Sequence, residues 1–132
     1  FQRRCETSGW SEHEARKFLE NLTTRPPAYL RIPGKGPQKL EAISGAALEH
    51  APPGTQVQDL ASQQVGEFLE VRPGERVWDR CAGAGGKTLQ IADALKGQGR
   101  VIATDPREHS LERLWERATA DQKSVIEIGR DP

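Results

Sequence analysis

The stretch Arg76-Val77-Trp78-Asp79-Arg80-Cys81-Ala82-Gly83-Ala84-Gly85-Gly86-Lys87-Thr88 decides how this 132-residue chain folds. A short apolar run stops at an acidic residue, glycines follow, and a helical pattern begins at Lys87. Downstream the alternation repeats. Arg76-Val77-Trp78 reads as a strand, Lys87 to Lys96 as a helix, and Arg100 to Thr104 as a second strand. A helix through Leu111, Leu114, Trp115 and Ala118 comes next, then Val125-Ile126-Glu127-Ile128 as a third strand. Gly97 stands where a helix C′ glycine belongs. The order β-α-β-α-β predicts an α/β, Rossmann-like half with parallel strands in the order 3-2-1.

Glycines between a first strand and a first helix permit positive φ and let a ligand press against bare backbone. Free N–H groups at the start of the helix favour an anionic or strongly polar group. Two familiar templates fail here. A Walker loop requires Gly-x-x-x-x-Gly-Lys-Ser/Thr, and Cys81 occupies its first glycine position. The dinucleotide pattern Gly-x-Gly-x-x-Gly, begun at Gly83, meets Thr88 at its third glycine. What remains is acidic-x-x-x-Gly-x-Gly, here Asp79…Gly83-Ala84-Gly85. An independent signal is Asp105, at the end of Val101-Ile102-Ala103-Thr104-Asp105, about 20 residues beyond the loop. A carboxylate there accepts hydrogen bonds from both ribose hydroxyls of a bound nucleoside. Ahead of Pro106 it also reads as a helix N-cap. Asp131, after the third strand, is placed to meet an adenine amino group, and equally reads as an ordinary turn aspartate.

The rest of the chain is less specific. Net charge is zero, 35% of residues are hydrophobic and 29% charged, which describes a globular domain. No apolar run nears the roughly 20 residues that span a bilayer, and Phe1-Gln2-Arg3-Arg4 lacks a secretory core. The chain contains no Met, as expected of an excised piece of a longer polypeptide. Cys5 and Cys81 are too few for a disulfide framework and are not spaced as metal ligands, so the expectation is no metal and a reducing, cytoplasmic setting. Cys81 is read as a small buried filler within the loop. Ser11-Glu12-His13-Glu14 is a capping box opening a helix through Ala15, Phe18, Leu19 and Leu22. Ala28 to Ile32 alternates weakly as a short strand, and Gln58 to Glu70 places Ala61, Val65, Phe68 and Leu69 on one helical face. The expected division is residues 1–55, a small, mainly helical and basic segment, and residues 56–132, the Rossmann-like portion. Residues 1–40 hold eight Lys/Arg against four Asp/Glu, whereas residues 41–132 hold eleven against fifteen. A basic arm of this kind suits RNA, and equally a solvated surface.

The surviving loop pattern resembles the first motif of class I S-adenosylmethionine methyltransferases. Gln58-Asp59-Leu60-Ala61-Ser62-Gln63 followed by Pro73 to Thr88 is similar, more specifically, to the Sun/Fmu-type RNA (cytosine-5) methyltransferases. In that family a Gln-Asp-x-Ala-Ser helix precedes a Cys-Ala-Ala-Pro-Gly-Gly-Lys-Thr loop. Pro26 to Ile32 resembles the family's Pro-Pro-x-x-Leu-Arg-Val segment. The likeness implies an S-adenosylmethionine cofactor whose methionine part is wrapped by Cys81, Ala82, Gly83, Ala84, Gly85, Gly86 and Lys87. It also implies that Asp105 holds the ribose, that Asp131 lies near the adenine, and that the substrate is rRNA or tRNA. Gly83-Ala84 replaces the usual Ala-Pro, which frees φ in the loop, and Arg80 puts a charge where an apolar residue is usual, beside the core.

Cytosine C5 is not nucleophilic until a cysteine thiolate adds to C6, which is covalent catalysis. The family carries those cysteines in Pro-Cys motifs after strands four and five. Neither Cys5 nor Cys81 matches them, so no catalytic residue is assigned. The chain by itself is expected to be inactive and marginally stable, and to associate with itself through an exposed sheet edge. The leading reading is the cofactor-binding half of an RNA cytosine-5 methyltransferase. The alternatives are a non-catalytic RNA-binding or regulatory module that retains the fold, and a small-molecule methyltransferase, against which the Gln58 to Ser62 helix argues.

Overall fold

The computed structural model describes residues 9–24, 28–35, 38–40 and 50–129. Helix α1 (Glu12–Thr23) opens with the expected capping box: Glu14 N–H donates to Ser11 Oγ at 3.2 Å and Ser11 N–H donates to the Glu14 carboxylate at 2.8 Å. Strand β1 (Ala28–Arg31) pairs antiparallel with β2 (Gln38–Leu40) on one side and with β3 (Gln56–Val57) on the other. The weakly alternating run at 28–32 is therefore the middle of a small sheet, ordered β2-β1-β3. Neither neighbour carried a sequence signal of its own. Helix α2 (Leu60–Phe68) follows, capped by the Asp59 carboxylate, which accepts from Ser62 N–H at 2.8 Å.

The second sheet is the parallel one. Its strands β4 (Arg76–Asp79), β5 (Arg100–Ala103) and β6 (Ile126–Ile128) lie in the order β4-β5-β6, which is the expected 3-2-1. The crossovers are helix α3 (Gly86–Leu95) and helix α4 (Glu108–Arg117), with a short α5 (Ala120–Lys123) before β6. In α3 the buried positions Thr88, Ile91, Ala92 and Leu95 recur at i, i+3, i+4, i+7, so one face meets the sheet. Leu89, Leu95, Leu114 and Val101 are fully buried at the centre of the core. Each such side chain contributes about 1.5–3 kcal/mol by leaving water. Lys96 (φ 49°) and Gly97 (φ 76°) end α3 in the left-handed region, with Gly97 at C′ as expected.

Two apolar stripes face outward. In α2, Val65, Phe68 and Leu69 are exposed, Phe68 to 86%, and Gln63 is the buried residue. This helix meets α3 through its small residue: a Cβ on Gly66 would collide with the Gln90 carboxamide. In α1, Ala15 is buried while Phe18, Leu19 and Leu22 are exposed. Periodicity located these faces correctly but could not say that they are exposed, nor that Phe18 meets the Trp10 ring edge-on at 5.3 Å. Arg80 also departs from expectation. It is exposed rather than set beside the core, with its guanidinium 5.6 Å from the Trp78 ring centroid. Among the described residues β4 has a strand neighbour on one side only, and Trp78 is half-exposed there.

A buried ion pair joins the two parts. Arg31 of β1 donates to Asp93 Oδ2 of α3 at 2.6 Å, and Asp93 Oδ1 accepts from Gln122 Nε2 of α5 at 2.8 Å. Gln58 N–H adds a bond to the Tyr29 carbonyl at 3.0 Å.

Candidate functional site

The site is the crevice at the carboxyl ends of β4 and β5, where the loop 80–85 turns into α3. Asp79 governs the turn from both sides. Its Oδ2 accepts from Thr88 Oγ1 at 2.7 Å, and its Oδ1 accepts from Cys81 N–H at 3.3 Å, so one carboxylate ties the loop's start to the first turn of the helix. Ala82 N–H donates to the Thr104 carbonyl at 3.1 Å, and Gly85 N–H donates to the Ala82 carbonyl at 2.9 Å. Arg117, from the end of α4, donates to the Ala84 carbonyl at 2.6 Å. The loop carrying Gly83-Ala84 in place of Ala-Pro is thus held by bonds to β4, β5 and α4.

Gly85 is the position where glycine is required. Its φ is 88°, and a Cβ there would lie 2.7 Å from Leu114 Cγ. Gly83 (φ 53°) is also left-handed, and a Cβ on it would stand in open space except for the Arg107 guanidinium at 3.9 Å. Helix α3 begins without a side-chain cap. Its start therefore offers N–H groups that no N-cap side chain claims, a suitable cradle for an anionic or strongly polar ligand group. Lys87 lies at this end and donates to Ser62 Oγ of α2 at 3.3 Å.

Asp105 lies two residues past the end of β5 and its side chain is buried. It is not the cap of α4: that helix starts at Glu108, with Arg107 at the N-cap position. Instead the carboxylate folds back on its own chain, accepting from Arg107 N–H at 3.0 Å, and reaches across to accept from Gly83 N–H at 2.9 Å. The Arg107 side chain donates twice more, Nε to Oδ1 at 2.9 Å and Nη2 to Oδ2 at 3.2 Å. The Arg107 side chain, then its backbone N–H, and the Gly83 N–H hold the Asp105 carboxyl well below the usual carboxylate range. Beside Asp105 opens a cavity of about 800 Å³ lined by Pro106, Leu111, Trp115, Ile128 and Gly129 among others. Its size suits a nucleoside-sized ligand.

The structure therefore joins Asp105 to the loop of Cys81, Ala82, Gly83, Ala84, Gly85, Gly86 and Lys87 through the Gly83 N–H, while the cavity beside Asp105 is lined by residues of α4 and β6 rather than by the loop, and Asp131 lies outside the described residues. Cys81 is corrected in one respect: its thiol is free and exposed, not a buried filler. Arg107 and Arg117 were missed. Neither belongs to a local pattern, since one acts across an aspartate turn and the other across 33 residues.

Residues 67–127 match the model of the family described as 16S rRNA methyltransferase RsmB/F. That segment, a little under half of the chain, is similar to the RsmB/F methyltransferase family. The human tRNA (cytosine(72)-C(5))-methyltransferase NSUN6 is 40% identical over 62 residues, which cover 47% of this chain and 13% of that protein. Two solved structures share the fold. PH0851 superposes with a TM-score of 0.76 at 19% identity, over 93% of this chain and 34% of its own. NSun6 from Pyrococcus horikoshii, solved with the S-adenosylmethionine analogue SFG, gives 0.56 at 27% identity, over 70% of this chain and 24% of its own. The chain thus spans about a third or less of each of these three proteins. The family is one of S-adenosylmethionine-dependent methyltransferases. Among the described residues no helix is long and apolar enough to cross a membrane.

Proposed function

We propose that this chain supplies the S-adenosylmethionine-binding half of an RNA (cytosine-5) methyltransferase acting on rRNA or tRNA. The observation that carries the reading is Asp105, bonded to Gly83 N–H of the glycine loop and facing the cavity. Glycine spacing and the likeness of residues 67–127 to the RsmB/F family support it. When bound, S-adenosylmethionine supplies an electrophilic methyl group. The chain's own residues bind and orient it. Cys81 to Lys87 would wrap the methionine part, and the start of α3, which has no side-chain cap, would offer its N–H groups to a polar group there. Asp105 accepts from the ribose hydroxyls, and Asp131 sits near the adenine. No residue of the chain is assigned to the covalent step at cytosine C6.

Residues 56–132 form the cofactor-binding portion in this reading, and residues 1–55 a basic segment that contacts RNA in the cytoplasm. The open side of β4 is where a second copy pairs, which sedimentation reads as a concentration-dependent dimer. Isothermal calorimetry tests the centre of the proposal. S-adenosylhomocysteine should bind, and Asp105→Ala should weaken it at least about tenfold, since the lost acceptor is charged. Equal affinity in both versions removes the ribose assignment. For the RNA arm, replacing Arg3, Arg4, Arg16 and Lys17 with Gln should flatten the salt dependence of RNA binding. An unchanged slope reduces that segment to a solvated surface.

A further inference from the structure

The bonds at Asp105 leave no acceptor capacity spare. A carboxylate offers about four lone-pair sites, and four donors fill them: Arg107 N–H and Nε on Oδ1, Gly83 N–H and Arg107 Nη2 on Oδ2. The two backbone donors are fixed by the turn after β5 and by the glycine loop. The two guanidinium donors are not, because the Arg107 side chain is 63% exposed and can rotate into water. That guanidinium also overhangs the loop, 3.9 Å from where a Cβ of Gly83 would stand. It therefore covers the side of the carboxylate that faces the glycine loop.

We propose that Arg107 is a latch on the nucleoside site, closing the Asp105 carboxylate until a ribose displaces it. The latch rests on the cofactor reading above and deepens it. A ribose presents two vicinal hydroxyls, and release of the guanidinium vacates two acceptor positions, so the exchange conserves hydrogen bonds. What binding loses is the charge-assisted pair. The pair keeps the deeply placed carboxylate satisfied when no ligand is present, sparing it the cost of a buried unpaired charge. The consequence is an affinity lower than the site's geometry alone would give, and a salt dependence of unusual sign. Added salt screens the Asp105–Arg107 pair and loosens the latch, so affinity for a nucleoside ligand rises with salt.

The test compares the parent protein with Arg107→Gln and Arg107→Lys by calorimetry, with S-adenosylhomocysteine as the probe, at about 50 and 300 mM NaCl. Arg107→Gln should bind about two- to fivefold tighter at the lower salt, the range an exposed pair contributes. The parent's affinity should climb toward the variant's as salt rises, and the variant's should not. Arg107→Lys keeps the charge but loses the planar fork, and should fall between them. Carbon NMR of the Asp105 carboxyl gives a reading that involves no ligand: its pKa should rise in Arg107→Gln. Equal or weaker affinity in Arg107→Gln overturns the latch while leaving the cofactor reading intact, as does an unmoved Asp105 titration. Absence of binding in every version overturns the cofactor reading and the latch together.

Discussion

Replacing Gly85 with Ala adds one methyl group at the point where the loop, α3 and α4 meet. Two separate costs arise. The backbone there has φ 88° and ψ 15°, a left-handed conformation that costs an L-residue about 1–2 kcal/mol. The added Cβ would stand 2.7 Å from Leu114 Cγ and 3.2 Å from Leu114 Cβ. Leu114 is fully buried and cannot swing aside without disturbing the core it shares with Leu89, Leu95 and Val101. Overpacking of that kind costs about 1–3 kcal/mol. Gly85→Ala should therefore destabilise the protein by about 2–5 kcal/mol, a large part of a stability that is typically about 5–15 kcal/mol. Urea unfolding with an unchanged m-value measures it. The two costs separate in the Leu114→Ala background, where the overlap is gone and only the backbone strain remains. Gly85→Ala should then cost about 1–3 kcal/mol less than it does alone, a coupling that a double-mutant cycle resolves. A cost under about 0.5 kcal/mol, or the same cost in both backgrounds, would refute the argument from the loop's geometry.

Three more outcomes are expected. Arg31→Met removes one partner of the ion pair with Asp93, leaving that carboxylate to Gln122; because Asp93 retains 24% exposure, the cost in chemical denaturation should be about 2–3 kcal/mol, below that of a fully buried pair. Pairing it with Asp93→Leu should recover part of the loss, since Arg31 also donates to the Gly54 carbonyl at 3.3 Å and that bond stays broken; no recovery at all would contradict the ion-pair argument. The Asp105 carboxyl is held below its ordinary value, so its contribution to stability is complete above about pH 4 and is lost as pH falls further. Asp105→Asn should accordingly show a shallower loss of stability between about pH 5 and pH 2 than the parent, and parallel profiles would contradict the bonds at Asp105. Asp59→Ala should cost about 0.5–2 kcal/mol in a thermal or urea melt by uncapping α2, against no change if the Ser62 N–H finds water equally well.

The parallel half, and a carboxylate just past its second strand, could be read from the order of residues alone. Those readings depend on information local in the chain: an apolar run for each strand, a glycine where φ must be positive, Asp105 just past the end of β5. Even Gly97 at the end of α3 was legible, because a left-handed terminus leaves few residue choices. Tertiary structure alone decided what depends on distant neighbours. Strands β2 and β3 have three and two residues, and exist because Ala28 to Arg31 offers both of its edges to them. The stripe of Val65 and Phe68 showed that α2 has an apolar face, but a period cannot say whether anything packs on it, and here Gln63 and Gly66 face inward instead. Arg107 carries no motif and looked like any surface arginine. Its role at Asp105 arises because the chain turns back after β5, which brings residues 83, 105 and 107 onto one carboxylate. Periodicity and composition record what each segment prefers locally. Which charge meets which, and which face stays in water, follow from the packing that brings those segments together.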